Sequence, residues 1–354
     1  MRREVSSRFL KKTAKMALVA ITGLSFILLG CRSENRPVES ESKWPALAGY
    51  EAMEVPADNP MTVAKVELGK QLFYDTRLSG DNSRACVSCH NPEHGLTPGP
   101  GVITGAYGVV MDRSCPTLWN IGYQKEFYWE GGSRSLESAA KGVWKFNMAI
   151  GRDGQPGMDD VCARLNQIEG YRKQFQDVFG EGATPDNVSK ALACFLRTLV
   201  ANDSAWVRFR AGGQSALSEG ARRGYEIFKG KAACTNCHDG LLLTDLQYHN
   251  IGIGIKDEAS GPGRFFISKN EKDRGAFKTP TLFNVGKSAP YFHDNSVATL
   301  EEAVDLMLGG GIDNPHLDRT NLQPRVLTAE ERGDLLSFLR ELTHACTIAP
   351  PTLP

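Results

Sequence analysis

The sequence lacks an excess of charge of either sign. Its 354 residues include 41 lysines and arginines and 41 aspartates and glutamates. The first 30 residues contain six basic residues and one acidic residue, so their removal leaves 35 basic and 40 acidic residues. The remaining chain is mildly acidic. We therefore expect no nucleic-acid-binding surface, which would need clustered basic residues.

Long hydrophobic runs are also missing. The apolar segment MALVAITGLSFILLG follows the basic N-terminus and is too short for a confident membrane span. This layout is typical of an export signal. The next residue completes LLGC, which resembles a bacterial lipobox whose cysteine, Cys31, is acylated and becomes the mature N-terminus. An ordinary cleaved signal with an incidental cysteine is the alternative. We predict a lipoprotein signal over residues 1–30 and a flexible tether over residues 31–45. The protein is then exported and lipid-anchored to the outer membrane, facing the periplasm or the cell surface.

Strand-like patterns are few and short, whereas helical patterns are frequent. EGYRKQFQDVFG, PDNVSKALACFLRTLV and TAEERGDLLSFLREL have apolar residues at intervals of three to four. Thr299 with Glu302, and Thr328 with Glu331, have the spacing of capping boxes at helix starts. We therefore predict a mainly α fold with few short strands.

Two pentapeptides, CVSCH and CTNCH, have the pattern for c-type haem attachment. In this pattern both thiols add to the haem vinyl groups, and the histidine is the proximal iron ligand. Half of a zinc site is the alternative for a single copy, but no second cysteine pair stands at zinc-finger spacing. We therefore predict two covalently bound haem c groups. The predicted attachment residues are Cys86, Cys89, Cys234 and Cys237, with His90 and His238 as iron ligands.

A repeated pattern precedes both haem motifs. LGKQLF ends at Phe73 and RGYEIF ends at Phe228, each with glycine four residues before phenylalanine. Between the two halves lies a glycine-rich break, AGGQSALS, with Ser218 as the predicted cap of the next helix. We therefore predict two cytochrome c-like haem domains packed together. The N-terminal, peroxide-reactive domain covers residues 46–214, and the C-terminal, electron-transfer domain covers residues 215–354.

Four cysteines lie outside the haem motifs and the lipobox: Cys115, Cys162, Cys194 and Cys346. An even number in an exported chain allows up to two disulfides. Cys162 and Cys194 lie on neighbouring helical patterns and are the better candidate pair. The alternative is that they are buried thiols.

From residue 66 to residue 342 the chain resembles the bacterial dihaem cytochrome c peroxidase and MauG superfamily. The motifs that carry the resemblance occur in family order. They are CVSCHNP, PTLWN, WEGG followed by SLE, YHNIG, FKTPTLFNVGKSAPYFHD and the last helix. The resemblance implies a peroxidase-type oxidoreductase in which the first haem meets hydrogen peroxide and the second transfers electrons.

The resemblance also implies different second ligands for the two haem irons. In the peroxidases, the methionine of the electron-transfer haem lies fourteen residues after the histidine of the PYFH motif, and from His293 this interval leads to Met307. Helical spacing alone would favour a core methionine. Sixteen residues after the first signature histidine, where the peroxidases have a removable histidine, this chain has Ala106. His94 is too close in sequence to reach the opposite face. We therefore expect the first haem to keep an open position.

The segment from Phe127 to Gly151 contains aromatic residues, but its second half has no histidine, aspartate or glutamate. Trp129 matches the tryptophan that family members place between the haems. Where the family has glutamine, proline and glutamate in the peroxide pocket, this chain has Ala139, Val143 and Ala149. A positioned acid or base contributes about two to four orders of magnitude in rate. We expect either a slow peroxidase or a substitute residue. The nearby polar candidates are Tyr128, Arg134, Lys145 and Asn147.

With its open first haem and altered pocket, the chain resembles members of the MauG branch. Its lipobox adds a similarity to members of the CorB and MbnH branch. This resemblance implies that hydrogen peroxide is used to oxidise a side chain of a partner, in particular a tryptophan of a copper-binding protein, to kynurenine. A conventional cytochrome c peroxidase with a small redox-protein donor is the alternative. A non-enzymatic dihaem electron carrier is the second alternative.

A calcium ion is a secondary expectation from the same resemblance. Family members bind it between the domains through an asparagine and two carbonyl oxygens. The corresponding residues are Ser114, Ser288 and Pro290. Because calcium accepts water among its six to eight oxygen ligands, a weaker site would persist without the asparagine.

Overall fold

Helices are the main regular secondary structure of the computed structural model, which describes residues 44–255, 261–345 and 348–354. The two strands, β1 (Tyr248–His249) and β2 (Phe277–Lys278), pair antiparallel with Tyr248 opposite Lys278. The predicted mainly α fold is confirmed. The helices are α1 (Val63–Tyr74), α2 (Leu136–Val143), α3 (Met158–Gln167), α4 (Glu169–Phe179), α5 (Pro185–Leu196), α6 (Ala205–Arg210), α7 (Glu219–Lys229), α8 (Phe265–Ser268), α9 (Leu300–Leu308) and α10 (Ala329–Glu341).

The predicted helix caps are present. At the start of α9, Thr299 Oγ1 accepts a hydrogen bond from the backbone N–H of Glu302, whose carboxylate accepts one from the backbone N–H of Thr299. Thr328 and Glu331 make the same reciprocal pair at the start of α10. Ser218 caps α7. These short-range bonds satisfy backbone donors that the first helical turn leaves free.

Two helix pairs share one mode of packing, which explains the glycine in the repeated pattern. α1 packs on α5 and α7 packs on α10. A Cβ atom added at Gly69 would lie 2.0 Å from the carbonyl oxygen of Ala191, and one added at Gly224 would lie 2.0 Å from that of Asp334. Only glycine allows so close an approach of the two backbones.

The phenylalanine of each pattern lies at the same interface as its glycine. The ring centroids of Phe73 and Phe195 are 5.2 Å apart across α1 and α5, and those of Phe228 and Phe338 are 5.2 Å apart across α7 and α10. All four rings are buried. The repeat in the sequence is thus a repeated helix pair, one in each half of the chain.

Substituting either interface glycine is expected to destabilise the protein. Gly69→Ala or Gly224→Ala should lower the free energy of unfolding by about 1–3 kcal/mol, because the new methyl group overpacks the helix pair. Gly333→Ala is the control, since this exposed glycine of α10 has open space around it. It should raise stability by about 0.4–1 kcal/mol. Thermal unfolding followed by circular dichroism measures both effects. Equal melting temperatures for all three variants would contradict the packing account.

The described residues form one compact unit. The predicted boundary between residues 214 and 215 therefore stays a prediction. The predicted lipoprotein signal, and Cys31 with it, lie outside the described residues. None of the helices described above combines the length and the apolar character that a membrane span requires.

Candidate functional site

The first haem motif folds as a tight turn that aims its histidine inward. A 3₁₀ turn covers Cys86–Ser88, and the backbone N–H of His90 donates to the carbonyl oxygen of Cys86 at 3.0 Å. The imidazole Nδ1 of His90 is 3.0 Å from the carbonyl oxygen of Leu96. Burial lowers the pKa of His90 to about 4. The neutral ring therefore donates through Nδ1 and leaves Nε2 available as an iron ligand.

The second haem motif repeats this geometry. A 3₁₀ turn covers Cys234–Asn236, and the backbone N–H of His238 donates to the carbonyl oxygen of Cys234 at 2.8 Å. Nδ1 of His238 is 3.0 Å from the carbonyl oxygen of Leu243, and burial lowers the pKa of this histidine. In both motifs a backbone carbonyl fixes the tautomer that metal-bound histidines adopt.

A second internal repeat, absent from the sequence-based predictions, supports the two histidine loops. PTLWN and PTLFN differ at one position. Thr117 Oγ1 donates to the carbonyl oxygen of Gly95 at 2.7 Å, and Thr281 Oγ1 donates to that of Leu242 at 2.7 Å. Each acceptor immediately precedes the residue that holds a proximal histidine. Self-comparison of the sequence would have found this signal.

One large cavity fits the predicted ligand pair of the second haem. It has a volume of about 260 Å³ and a mostly apolar wall that includes Cys234, Cys237, His238, His293 and Met307. His238 is thus brought to the same cavity as the thioether of Met307, as the ligation hypothesis requires. The two half-buried thiols are free for attachment. This donor set fits a c-type haem with histidine and methionine ligands.

A third repeat relates the cavity wall of one half to that of the other. The segments that begin at Phe127 and Tyr291 both close a small loop through a β-bridge to the residue six positions on. Their second residues, Tyr128 and Phe292, both have positive φ, 71° and 70°. Their third residues, Trp129 and His293, therefore occupy equivalent positions. Each segment then leads into a capped helix, α2 or α9.

This equivalence places Val143 where the other half has Met307. Val143 is the eighth residue after the N-cap Ser135 of α2, and Met307 is the eighth after the N-cap Thr299 of α9. An isopropyl group has no lone pair for iron. Ala106, the other position considered for a ligand, is fully buried and equally unable to coordinate. The first haem site thus presents no protein ligand at either position.

Three of the predicted polar candidates, Tyr128, Arg134 and Lys145, are not poised as an acid or base, and the role of the half-buried Asn147 stays a prediction. Tyr128 Oη donates to the carbonyl oxygen of Ala139 at 2.7 Å, and burial raises its pKa to about 12. Arg134 and Lys145 are exposed. Ala139 and Ala149, at positions where the family has glutamine and glutamate, are buried. The hydroxyl of Tyr128 is therefore a structural donor to α2 at neutral pH.

Trp129 lies between the two candidate sites. Its Nε1–H donates to the carbonyl oxygen of Ser114 at 2.8 Å, and its ring lies 6.3 Å from that of His293 in an edge-on arrangement. It lines the large cavity and also a smaller cavity of about 30 Å³ with Pro116 and Tyr128. The hydrogen bond fixes the indole in the position predicted for a bridge between haems.

The predicted calcium residues line one cavity, and two of them make hydrogen bonds to other residues. Ser114, Ser288 and Pro290 all line the large cavity. The carbonyl oxygen of Ser114 accepts from Trp129, and Ser288 Oγ donates to the carbonyl oxygen of Val285. None of the three contributes a carboxylate, so the calcium site stays a prediction.

One group of metal-ligating residues, Cys237, Asp245 and His249, comes together beside the second motif. His249 Nε2 is 2.9 Å from Asp245, and its Nδ1 is 2.6 Å from Asp318. The hydrogen bond to Asp245, with others, raises the pKa of His249 to about 11. Both ring nitrogens of His249 are thus engaged by carboxylates, and Cys237 belongs to the predicted haem motif. We therefore interpret this cluster as a half-buried ion-pair network.

The candidate pair Cys162 and Cys194 does not form a disulfide, and the alternative of two buried thiols is the one that the structure has. Both are free buried thiols, and Cys194 Sγ donates to Asn59 Oδ1 at 3.5 Å. Cys115 is also a free thiol, and its hydrogen bond to Cys89 lowers the pKa of Cys89 to about 7. Cys346 lies outside the described residues. Helical proximity in sequence was not sufficient, because α3 and α5 direct these two thiols to different neighbours.

The chain is similar in sequence to di-haem cytochrome c peroxidases and to MauG. The profile of the family described as di-haem cytochrome c peroxidase matches residues 63–215. The chain is 34% identical to the cytochrome-c peroxidase IdrP1 of Denitromonas iodatirespirans, covering 86% of this chain and 88% of that protein. It is 35% identical to the methylamine utilization protein MauG of Methylorubrum extorquens, covering 86% and 85%.

A solved structure with similar folding is described as a MauG-like protein associated with microbial copper homeostasis. Its TM-score is 0.73 at 30% sequence identity, with 87% of this chain and 95% of that chain covered. The diheme peroxidase BthA of Burkholderia thailandensis has the same fold, with a TM-score of 0.63 at 21% identity and coverage of 81% and 87%.

Proposed function

Because this chain belongs to the di-haem cytochrome c peroxidase family, which includes MauG, we propose that it uses hydrogen peroxide to oxidise a side chain of a partner protein. It is a dihaem oxidoreductase with two haem c groups, as the family implies. The observation that carries the proposal is the difference between two equivalent positions, Val143 in the first site and Met307 in the second.

A haem held by histidine alone can bind and activate peroxide at its open face. His90 supplies the one protein ligand in the first site, and its hydrogen bond to Leu96 keeps Nε2 unprotonated. Ala149 stands where the family has glutamate, and its methyl group cannot shuttle a proton between the peroxide oxygens. The resulting slow turnover suits an enzyme that modifies one residue of a partner better than one that removes peroxide in bulk.

Trp129 provides the connection that long-range oxidation requires. Its indole lines both cavities and is fixed by the carbonyl oxygen of Ser114. The aromatic ring shortens the distance across which an electron leaves the second site. Oxidising equivalents are then shared between the sites without direct contact between the partner and peroxide.

The partner proposed is a copper-binding protein, with a tryptophan converted to kynurenine. Support comes from the similar structure described as a MauG-like protein associated with microbial copper homeostasis. We also propose that acylated Cys31 anchors the protein to the outer membrane, facing the periplasm or the cell surface. A mature N-terminus other than acylated Cys31 would refute the anchor.

The partner proposal is tested with the purified dihaem protein, hydrogen peroxide and the protein encoded by the neighbouring gene. Mass spectrometry of the partner should show oxygen incorporation at one tryptophan, with the fragmentation pattern of kynurenine. Partner with peroxide alone, and partner with the dihaem protein alone, are the controls and should remain unchanged. An unmodified partner, while the haem spectrum responds to peroxide, would refute partner oxidation.

A conventional cytochrome c peroxidase is the second candidate, and Met307 favours it. Thioether ligation raises the reduction potential and suits a haem that accepts electrons from a donor protein. Rapid steady turnover of peroxide with a reduced small cytochrome or copper protein would support this function. Two low-spin ferric haems that do not respond to peroxide would instead indicate an electron carrier.

A further inference from the structure

Lys278 is a buried cation that the mechanism above does not use. It belongs to β2, and its side chain lines the large cavity of the second haem site and also the small cavity. Only 8% of the residue is exposed. Its backbone N–H donates to the carbonyl oxygen of Trp129 at 2.8 Å, so a residue of the C-terminal half is fixed against the N-terminal half.

The small cavity is lined by residues of both halves of the chain, and those of the N-terminal half repeat part of the wall of the large cavity. The wall of the small cavity contains Pro116, Thr117, Ile121, Tyr128 and Trp129. In the internal repeats, each of these five residues corresponds to a residue that lines the large cavity. The equivalents in the large cavity are Pro280, Thr281, Val285, Phe292 and His293. A side chain that lines both cavities therefore lies where the two haem sites meet.

The direct partners of the ammonium group are neutral. Lys278 Nζ donates to Gln124 Oε1 and to the backbone carbonyl oxygen of Glu126, both at 2.6 Å. The carboxylate of Glu126 is itself held by Tyr248 Oη and Arg264. Among the described residues, no carboxylate forms an ion pair with Lys278.

A buried ammonium group with two neutral acceptors is incompletely compensated. An ammonium group has three donor hydrogens, so one remains for a further acceptor. Buried charges are costly unless they are paired. Burial lowers the pKa of Lys278 to about 8, so most molecules still carry the charge at neutral pH. Each haem c group brings two carboxylates, which are anions of the kind that this position requires.

We propose that Lys278 binds a haem carboxylate at the junction of the two sites and that its charge raises the reduction potentials of the haems. A nearby positive charge favours the ferrous state, which has one positive charge fewer than the ferric state. Lys278 is thus a positioning and electrostatic residue shared by both sites. This role depends on haem binding, which the family implies, and not on the oxidation of a partner.

Lys278→Met tests the charge. In spectroelectrochemical titrations of the holoprotein, with the haems distinguished by their spin states, we expect a lower potential for at least one haem. At a fixed electrode potential its ratio of reduced to oxidised iron should fall by about tenfold, which corresponds to about 59 mV for one electron. Lys278→Arg keeps the charge and should restore most of the potential. Lys125→Met removes an exposed charge nearby and should change neither haem.

Gln124→Glu tests the same charge without removing the lysine. The new carboxylate is nearly isosteric with the amide and would neutralise Lys278 in place, so the potential should again fall. If Lys278→Met fails to bind haem, the potential measured for Gln124→Glu tests the proposal instead. Unchanged potentials in Gln124→Glu and Lys278→Met, or an equal fall in Lys278→Arg, would overturn the proposal.

A free anion is the other source of a carboxylate-like partner for Lys278. Titrations of the wild-type protein at low and high phosphate, at constant ionic strength, separate the two sources. A haem carboxylate is covalently retained, so the potentials should not depend on phosphate. Potentials that shift with phosphate in the wild type, but not in Lys278→Met, would assign the position to a free anion and overturn the haem carboxylate.

Discussion

Val143→Met is expected to abolish the reaction of the protein with hydrogen peroxide. The substitution places a thioether at the position of α2 that is equivalent to Met307 of α9. The sulfur would then occupy the open face of the first haem, which would become six-coordinate and low-spin. We expect the rate constant for peroxide binding to fall at least about a hundredfold, or about 2.7 kcal/mol in activation free energy.

Stopped-flow absorbance with peroxide measures this rate, and electron paramagnetic resonance measures the spin state. Val143→Leu is the matched control, because leucine has a similar length and no ligand atom. It should leave the first haem high-spin. Since Val143 is 37% exposed, neither side chain should be forced into a filled core. A Val143→Met protein that remains high-spin and reacts at the wild-type rate would show that α2 does not face the open position.

The features predicted correctly from the sequence depend on residues close together in the chain. The capping boxes at Thr299 and Thr328, and the cap at Ser218, are all complete within a few residues. The haem motifs are equally short, and the haem attachment and the ligation by Met307 that they suggest stay predictions. Such short-range signals do not depend on how distant segments pack, which is why the sequence predicts them.

The features that the sequence did not predict depend on contacts between distant segments. Lys278 contacts Gln124 and Glu126, which lie more than 150 residues away in the chain. Nothing in the local sequence FKTP indicates that the ammonium group is buried. The thiols of Cys162 and Cys194 lie on helices that were predicted correctly, but helix positions alone do not define which face meets which.

The two halves use one supersecondary plan and differ at the positions that bear on chemistry. The backbone N–H of Ser114 donates to the carbonyl oxygen of His293, just as that of Lys278 donates to the carbonyl oxygen of Trp129. Ser114 and Lys278 are thus equivalent residues in the two halves, and so are Trp129 and His293. With Val143 in place of Met307, we expect these exchanges to give two haem sites with different ligands and different charges from the same backbone.

Met307→Leu is expected to have the reciprocal effect, on the second haem alone. Leucine has nearly the volume of methionine, so the free energy of unfolding should change by less than about 1.5 kcal/mol. Without the thioether, the second haem should become high-spin. Its potential should fall because the ligand that favours ferrous iron is gone. The ratio of reduced to oxidised iron at a fixed potential should decrease at least about tenfold.

Val143→Met and Met307→Leu together separate the reaction with peroxide at the first haem from electron transfer at the second haem. In Met307→Leu, the first haem should still react with peroxide, whereas electron donation from a reduced partner should slow in stopped-flow measurements. Met158→Leu, a half-buried methionine of α3 outside both cavities, controls for the loss of a thioether and should change neither haem. If Met307→Leu leaves the low-spin signal intact, Met307 is a core residue and not an iron ligand. The difference between the two haem sites would then have to come from another residue that lines the large cavity. His293, which occupies the position equivalent to Trp129, is the first such residue to test.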